Sequence, residues 1–255
     1  MYVPKLLDKA DHIINVFRIS THIWSHYTMA IKNWVGIMRP DDRVWMHQLN
    51  YLKNNRHLLN ELSKHDPIRT EPLYTELMAD LHLAHIKKER LCVADATQII
   101  LTGGPDGTDR PFCHTNMVLA ANDIIAADVL GLAILRYGAL LAPDGLQGHY
   151  EPQPTGWVEA FKGLIKDLKW PKEKNLFRGT DLKLCDEEFS NWDWVAVQRA
   201  RELGLGVLGP DDLNLVFDEM DSPFAVSPEK RDWLTQDALR VPKYKLEPIQ
   251  QHIAA

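Results

Sequence analysis

Cysteine is scarce in this sequence. Cys92, Cys113 and Cys185 stand far apart, so neither a paired disulfide framework nor a Cys-x-x-Cys metal knuckle can be read from them, and the chain carries no iron–sulfur motif of its own. A basic run is missing as well. The 29 basic and 35 acidic residues, net charge -6, are interspersed along the chain, which argues against a surface that tracks nucleic-acid phosphates. Met1 to Ala10 show no basic stretch leading into an apolar core, so no secretory signal is visible and the cytoplasm is the expected compartment. No apolar stretch reads as a membrane span, because the longest, Ile124 to Leu141, is broken by Asp128, Arg136 and Tyr137. Serine nucleophile elbows, catalytic Cys/His signatures and nucleotide loops are lacking too, so no named reaction is favoured.

What is present is an ordinary core-forming composition, 45% hydrophobic, in which short apolar runs alternate with helical patterns. His12–Phe17, Leu91–Asp95 and Met117–Ala121 read as strands. Glu71 to Lys87 has apolar residues at helical spacing (Leu73, Leu77, Leu81, Ala84) and ends in cations, and Ile124 to Leu141 forms a second helix with Asn122 and Asp123 as caps. This alternation predicts an α/β fold, a mainly parallel or mixed sheet covered by helices, over residues 1–142. Residues 143–255 read as a loop-rich extension that completes or wraps the core. Within it Ser190 to Leu203 is helical in pattern, Leu213–Phe217 is one more strand, and the tail beyond Pro223 wraps the surface or moves.

Several residues carry candidate chemistry. His22 and His26 are four apart and share a helix face if the segment is helical, where His47 would be a third metal ligand. No complete ligand set accompanies them, so a hydrogen-bonded histidine is the commoner use and no metal site is assigned. Lys32 and Asn33, near a helix start, suit a carboxylate or phosphate, or form a surface lysine beside a capping-type asparagine. Asp95 and Asp123 close strands, where ligands of open α/β sheets bind, and where an aspartate also caps the next turn or helix. Asp128 lies on an apolar helix face and if buried must pair, with Lys32 or Arg18 as partner. The turn containing Gly103 and Gly104 is a backbone nest for an anion or a tight structural turn. Trp24, Trp34 and Trp45 read as core.

Three stretches together resemble the family catalogued as domain of unknown function 362. They are Val3-Pro4-Lys5, then Thr21-His22 followed by Tyr27 to Gly36 with its Thr28-x-x-x-Lys32-Asn33 start, then Val93 to Ala96 paired with Gly103-Gly104-Pro105. The resemblance covers roughly Asp11 to Leu141 and fits the C-terminal part of that family. Where the family has Asn-Val-Pro, this chain has Asn15-Val16-Phe17. It implies a site in which His22, Lys32 and Asp95 act on a small anionic substrate, with Thr28, Asn33, Gly103, Gly104, Asp123 and Asp128 holding it. His22, Lys32, Asp95, Gly104 and Asp123 are expected to converge within one pocket at the carboxyl edge of the sheet. The other role implied is a non-catalytic accessory module that binds a metal or an iron–sulfur redox partner. No cofactor is assigned. Relatives usually begin with a further α/β segment, so an open sheet edge and self-association into a homo-oligomer are expected.

Overall fold

A computed structural model of the protein describes residues 2–22, 25–43, 46, 74–101, 112–141, 189–218, 226–243 and 246, with the backbone alone for His26 and residues 74–76. After the one-turn helix α1 (Leu6–Lys9), strands β1 (Ile13–His22) and β2 (His26–Thr28) form a hairpin that leads into the short helix α2 (Ala30–Asn33). Helix α3 (Tyr74–Asp80) precedes β3 (Glu89–Ile100), which lies parallel to β1, and β4 (Phe112–Ala121) returns antiparallel to β3. The sheet order is β2-β1-β3-β4, so the expected α/β fold is present with a mixed sheet that contains one parallel pair. All three expected strands are found, and each extends further than its apolar run.

Side-chain alternation decides which face of the sheet is covered. Asn15, Phe17 and Ile19 of β1, Cys92, Ala94 and Ala96 of β3, and Met117 and Leu119 of β4 are buried on one face. Helix α4 (Ile124–Leu141) packs against β1, β3 and β4 and buries Ile124, Ile125, Val129, Leu132 and Leu135. Each such aliphatic side chain contributes about 2 kcal/mol by leaving water. Two glycines let the helix lie close: a Cβ at Gly131 would meet the Met29 sulfur at 2.7 Å, and one at Gly138 would collide with Ile99. By length and mean hydropathy, 1.9, α4 could cross a membrane, but 72% of it is buried in the fold as a core helix.

Three local expectations need correction. The helix read from Glu71 to Lys87 stops, among the described residues, at Asp80 and gives way to turns and a 3-10 turn at Ile86–Lys88. The cause is that His82 and His85 are tied to other elements, His82 to Glu89 and to the Ile31 carbonyl, His85 to Asp8 at 2.8 Å. Leu213–Phe217 is extended, with Leu213, Leu215 and Phe217 half-buried and the residues between them exposed, but it pairs with no described strand. Part of the tail expected to wrap or move is instead helix. Beyond the 3-10 turn Asn191–Asp193 and helix α5 (Val195–Glu202), helix α6 (Pro228–Ala238) docks on α4.

That docking is polar at its centre. Arg136 of α4 and Asp237 of α6 form a buried ion pair at 3.1 Å, Asn191 donates to Asp237 at 2.8 Å, and the Trp192 indole N–H donates to the Ala238 carbonyl at 2.8 Å. Burial pushes the Asp237 carboxyl above its ordinary range, with the Arg136 guanidinium opposing. Removing one partner of such a pair strands the other, so Asp237→Ala is expected to lower unfolding free energy by about 3 kcal/mol in urea titrations. The double replacement Arg136→Met with Asp237→Leu should cost less than that. An Asp237→Ala variant as stable as the parent would show that the pair does not hold α6.

Candidate functional site

Helix α2, where Lys32 and Asn33 lie, starts directly after β2, so its first backbone N–H groups point into the fold and need an acceptor. Asp128 supplies it. From the second turn of α4 its Oδ1 accepts from the Ile31 N–H at 3.3 Å, with the side chain fully buried. Burial raises its carboxyl to about 7, against the backbone N–H groups of Ile31 and Ala30, which favour the ionised form. Tyr27 lies close to the carboxylate but outside hydrogen-bond geometry, and its phenol is pushed up by burial and then by Asp128. The groups that meet Asp128 are therefore backbone amides and a phenol, where Lys32 or Arg18 was expected. The anion at this helix start belongs to the protein itself.

The other end of α2 is held by a chain of side chains. Asn33 donates to the Asn15 side-chain oxygen at 2.8 Å and to the Val16 carbonyl at 2.9 Å. Asn15 donates to the Ala30 carbonyl at 2.9 Å and to Glu89 at 2.6 Å. Glu89 meets His82 Nδ1 at 3.0 Å, while His82 Nε2 meets the Ile31 carbonyl at 2.9 Å and Trp34 covers the imidazole with ring centroids 4.5 Å apart. Both His82 nitrogens thus lie within hydrogen-bond distance of oxygens on other elements, which ties the buried imidazole to β3 and α2. Asn15, His82 and Glu89 escaped the sequence reading. The one signal available was an asparagine on the inward-facing register of an apolar strand. Phe17, where the family pattern has proline, is buried in the core.

The remaining expected residues do not gather around α2. His22 is buried at the far end of β1, where its Nδ1 accepts from the Ser25 N–H at 3.2 Å and closes the β1–β2 hairpin. Asp95 sits partway along β3 on the open face, beside Arg18 in register, and accepts from the Thr97 N–H and hydroxyl at 2.9 and 2.7 Å. Those bonds hold its carboxyl below the ordinary range, helped by Arg18. Asp123 caps α4, accepting from Ile125 and Ala126 N–H at 2.9 and 2.8 Å, and its second oxygen accepts from Val207 N–H at 2.9 Å. Thr28 ends β2 opposite Ser20, and Lys32 is half-buried on α2. Convergence at one carboxyl edge is thus not what the fold produces: because β4 runs antiparallel, Asp123 lies at the amino edge of β1 and β3, the side of Asn15 and α2, and His22 lies at the opposite edge. Gly103, Gly104, His47, Trp24, Trp45 and the His26 side chain lie outside the described residues. Among the described residues no group of three or more His, Cys, Asp or Glu stands in metal-ligating proximity.

A cleft of about 1040 Å³ lies elsewhere, along β4. It is bounded by Asn116–Asp123, by Ala126, Leu130 and Ile134 of α4, by Val207 and residues 212–218, and by Val226 and Leu234. Its size is at the upper end for ligand sites, and its lining is mainly apolar.

Fold and site together describe an α/β protein with a one-sided mixed sheet and an apolar cleft beside its last strand. The family model described as "Domain of unknown function (DUF362)" matches residues 1–133, and the chain belongs to that family. No curated protein and no solved structure matches the chain.

Asp128 yields a pH prediction. Its folded-state value is raised from near 4 to about 7, so between these values the folded protein keeps a proton that the unfolded chain has lost. The resulting destabilisation is absent below pH 4, grows as pH rises, and is complete above pH 7, at about 4 kcal/mol in all. Asp128→Asn keeps the shape without the charge. The variant should therefore gain stability relative to the parent as urea titrations move from pH 4.5 to pH 8. An unchanged difference across that window would mean that Asp128 titrates normally.

Proposed function

We propose that this chain is a binding module that holds a segment of another protein along β4, the accessory role rather than the enzymatic one. The observation that carries this reading is the cleft itself, apolar and running beside an edge strand. Apolar concavity lined with a few polar groups is the usual form of a binding site. The alternative, acid–base catalysis by His22, Lys32 and Asp95, needs these side chains within hydrogen-bond reach of one substrate. His22 closes a hairpin at one edge of the sheet, Asp95 is held by Thr97 on the open face, and Lys32 is on α2 near the other edge. Backbone N–H groups that would draw a small anion to α2 are bonded to Asp128. A cluster-bearing redox protein, the partner the family resemblance implies, is one that such a module would serve.

The test is selection of random peptides displayed on phage against the immobilised full chain, with Leu215→Arg as the counter-selecting variant. Leu215 is half-buried in an extended stretch, so its replacement should leave the fold intact, which circular dichroism and a cooperative urea transition verify. Peptides retained by the parent and bound at least about tenfold more weakly by the variant are expected, one lost apolar contact plus a buried charge being worth that much. If no peptide distinguishes parent from variant, the β4 cleft is not a docking site.

A further inference from the structure

The shape and charge of the cleft also specify its occupant, and this step rests on the binding-module reading. β4 is the last strand of the sheet, so its outer backbone groups have no strand neighbour among the described residues. At its first half one of them is met: Lys230 of α6 donates to the Thr115 carbonyl at 2.8 Å. Beyond this point Asn116, at φ 55°, forms a bulge opposite Thr97, and the stretch from Asn116 to Ala121, about 20 Å of strand, faces the cleft. Edge strands are normally blunted by charge or proline. Met117-Val118-Leu119-Ala120-Ala121 has neither.

A second stretch of chain borders the same cleft. Residues 212–218 follow Val207, which is bonded to Asp123 at the end of β4, and farther along the chain Lys230 meets Thr115, near the start of β4. Leu213, Leu215 and Phe217 pack against the core without pairing with it. The space between is a slot with β4 on one side, residues 212–218 on the other and apolar side chains of α4 and α6 along it. Among the described residues, every ionisable group in its lining is an aspartate: Asp123, Asp212 and Asp218. A second copy of this chain is a poor occupant. It carries net charge -6, and the 212–218 stretch stands where the edge of a whole sheet would have to approach.

We propose that the slot takes one extended segment of a different protein, alternating in apolar residues and flanked by lysine or arginine, which adds to the sheet as a strand beside β4. Backbone hydrogen bonds to Asn116–Ala121 supply affinity, alternate side chains fill the apolar lining, and the cations are drawn by the negative charge of the lining, to which Asp212 contributes while its Oδ2 accepts from the Leu208 and Gly209 N–H groups.

The probe is a synthetic peptide of alternating threonine and valine with a pair of lysines at each end. Two companions are its glutamate-ended twin and a version N-methylated at alternate residues. Full-length chain should bind the lysine-ended peptide and slow the amide exchange of Met117–Ala121. N-methylation should weaken binding about tenfold or more through lost backbone bonds, and Asp218→Lys about fivefold, with no such loss for the glutamate-ended twin. Equal binding of the two twins, or indifference to N-methylation, overturns the proposal. So does protection of these amides in the chain alone, whether from another segment of the chain or, if light scattering shows a dimer, from a second copy. If phage selection returns peptides that bind the cleft as helices or with acidic ends, the binding-module reading stands and this inference fails; if selection returns none, both fail.

Discussion

A carboxylate in the middle of an apolar helix must find hydrogen-bond donors, and Asp128 finds them in the first amides of α2. Much of the architecture depends on this contact. It turns the chain back after the β1–β2 hairpin and lays α2 across β1, which brings Asn33 to Asn15 and the Ile31 carbonyl to His82. Glu89, at the first position of β3, then closes the chain of bonds to Asn15 and His82. Three segments distant in sequence are thus joined by groups that are expensive to bury singly and inexpensive when satisfied together. Two residues that look like part of a ligand site in sequence, Asn33 and Asp128, serve this joint, and Asn15, His82 and Glu89 complete it.

The elements with strong local signals were legible in sequence. The apolar run of α4 and its Asp123 cap, the cores of three strands and the mixed α/β class all follow from periodicity and capping chemistry. The expectation that His22, Asp95 and Asp123 share one edge holds only where these strands run parallel. The stretch between β3 and β4 contains Gly103-Gly104-Pro105-Asp106-Gly107 and no helical pattern, whereas a parallel crossover needs a dozen or more residues, usually a helix. Read that way, β4 returns antiparallel and carries Asp123 away from His22. The early end of α3 was beyond local reading, because it depends on what His82 and His85 meet across the fold.

Strand strength and coverage are also out of balance in the sheet. Parallel pairs are commonly covered on both faces. Here the face turned away from α4 exposes Ile14, Val16 and Val118 at 61%, 65% and 71%, and Val16, Val93 and Ala120 stand in one cross-strand row. The Arg18 and Asp95 row beside it is the charged exception. An apolar surface of this kind adjoins the β4 cleft through Val118 and Ala120, which belong to both. Burial and openness are therefore divided by side: α4, α6 and the α2 joint concentrate satisfied polar groups, and the β4 side holds an edge with no strand neighbour among the described residues.

Two anchors stand beside the cleft, one near each end of β4. At one end Gly206 lies so close to Asp123 that any Cβ there would strike the carboxylate, and this closeness is what lets Val207 N–H reach Asp123. At the other end Lys230 reaches the Thr115 carbonyl from a helix fixed to α4 by the Arg136–Asp237 pair. Between these points the chain spans the gap with half-buried Leu213, Leu215 and Phe217 and no described strand pairing, so it follows the positions of its ends. The cap of α4 and the ion pair under α6 consequently do double duty. Each stabilises a helix terminus or a helix contact, and each also fixes a point beside the β4 cleft.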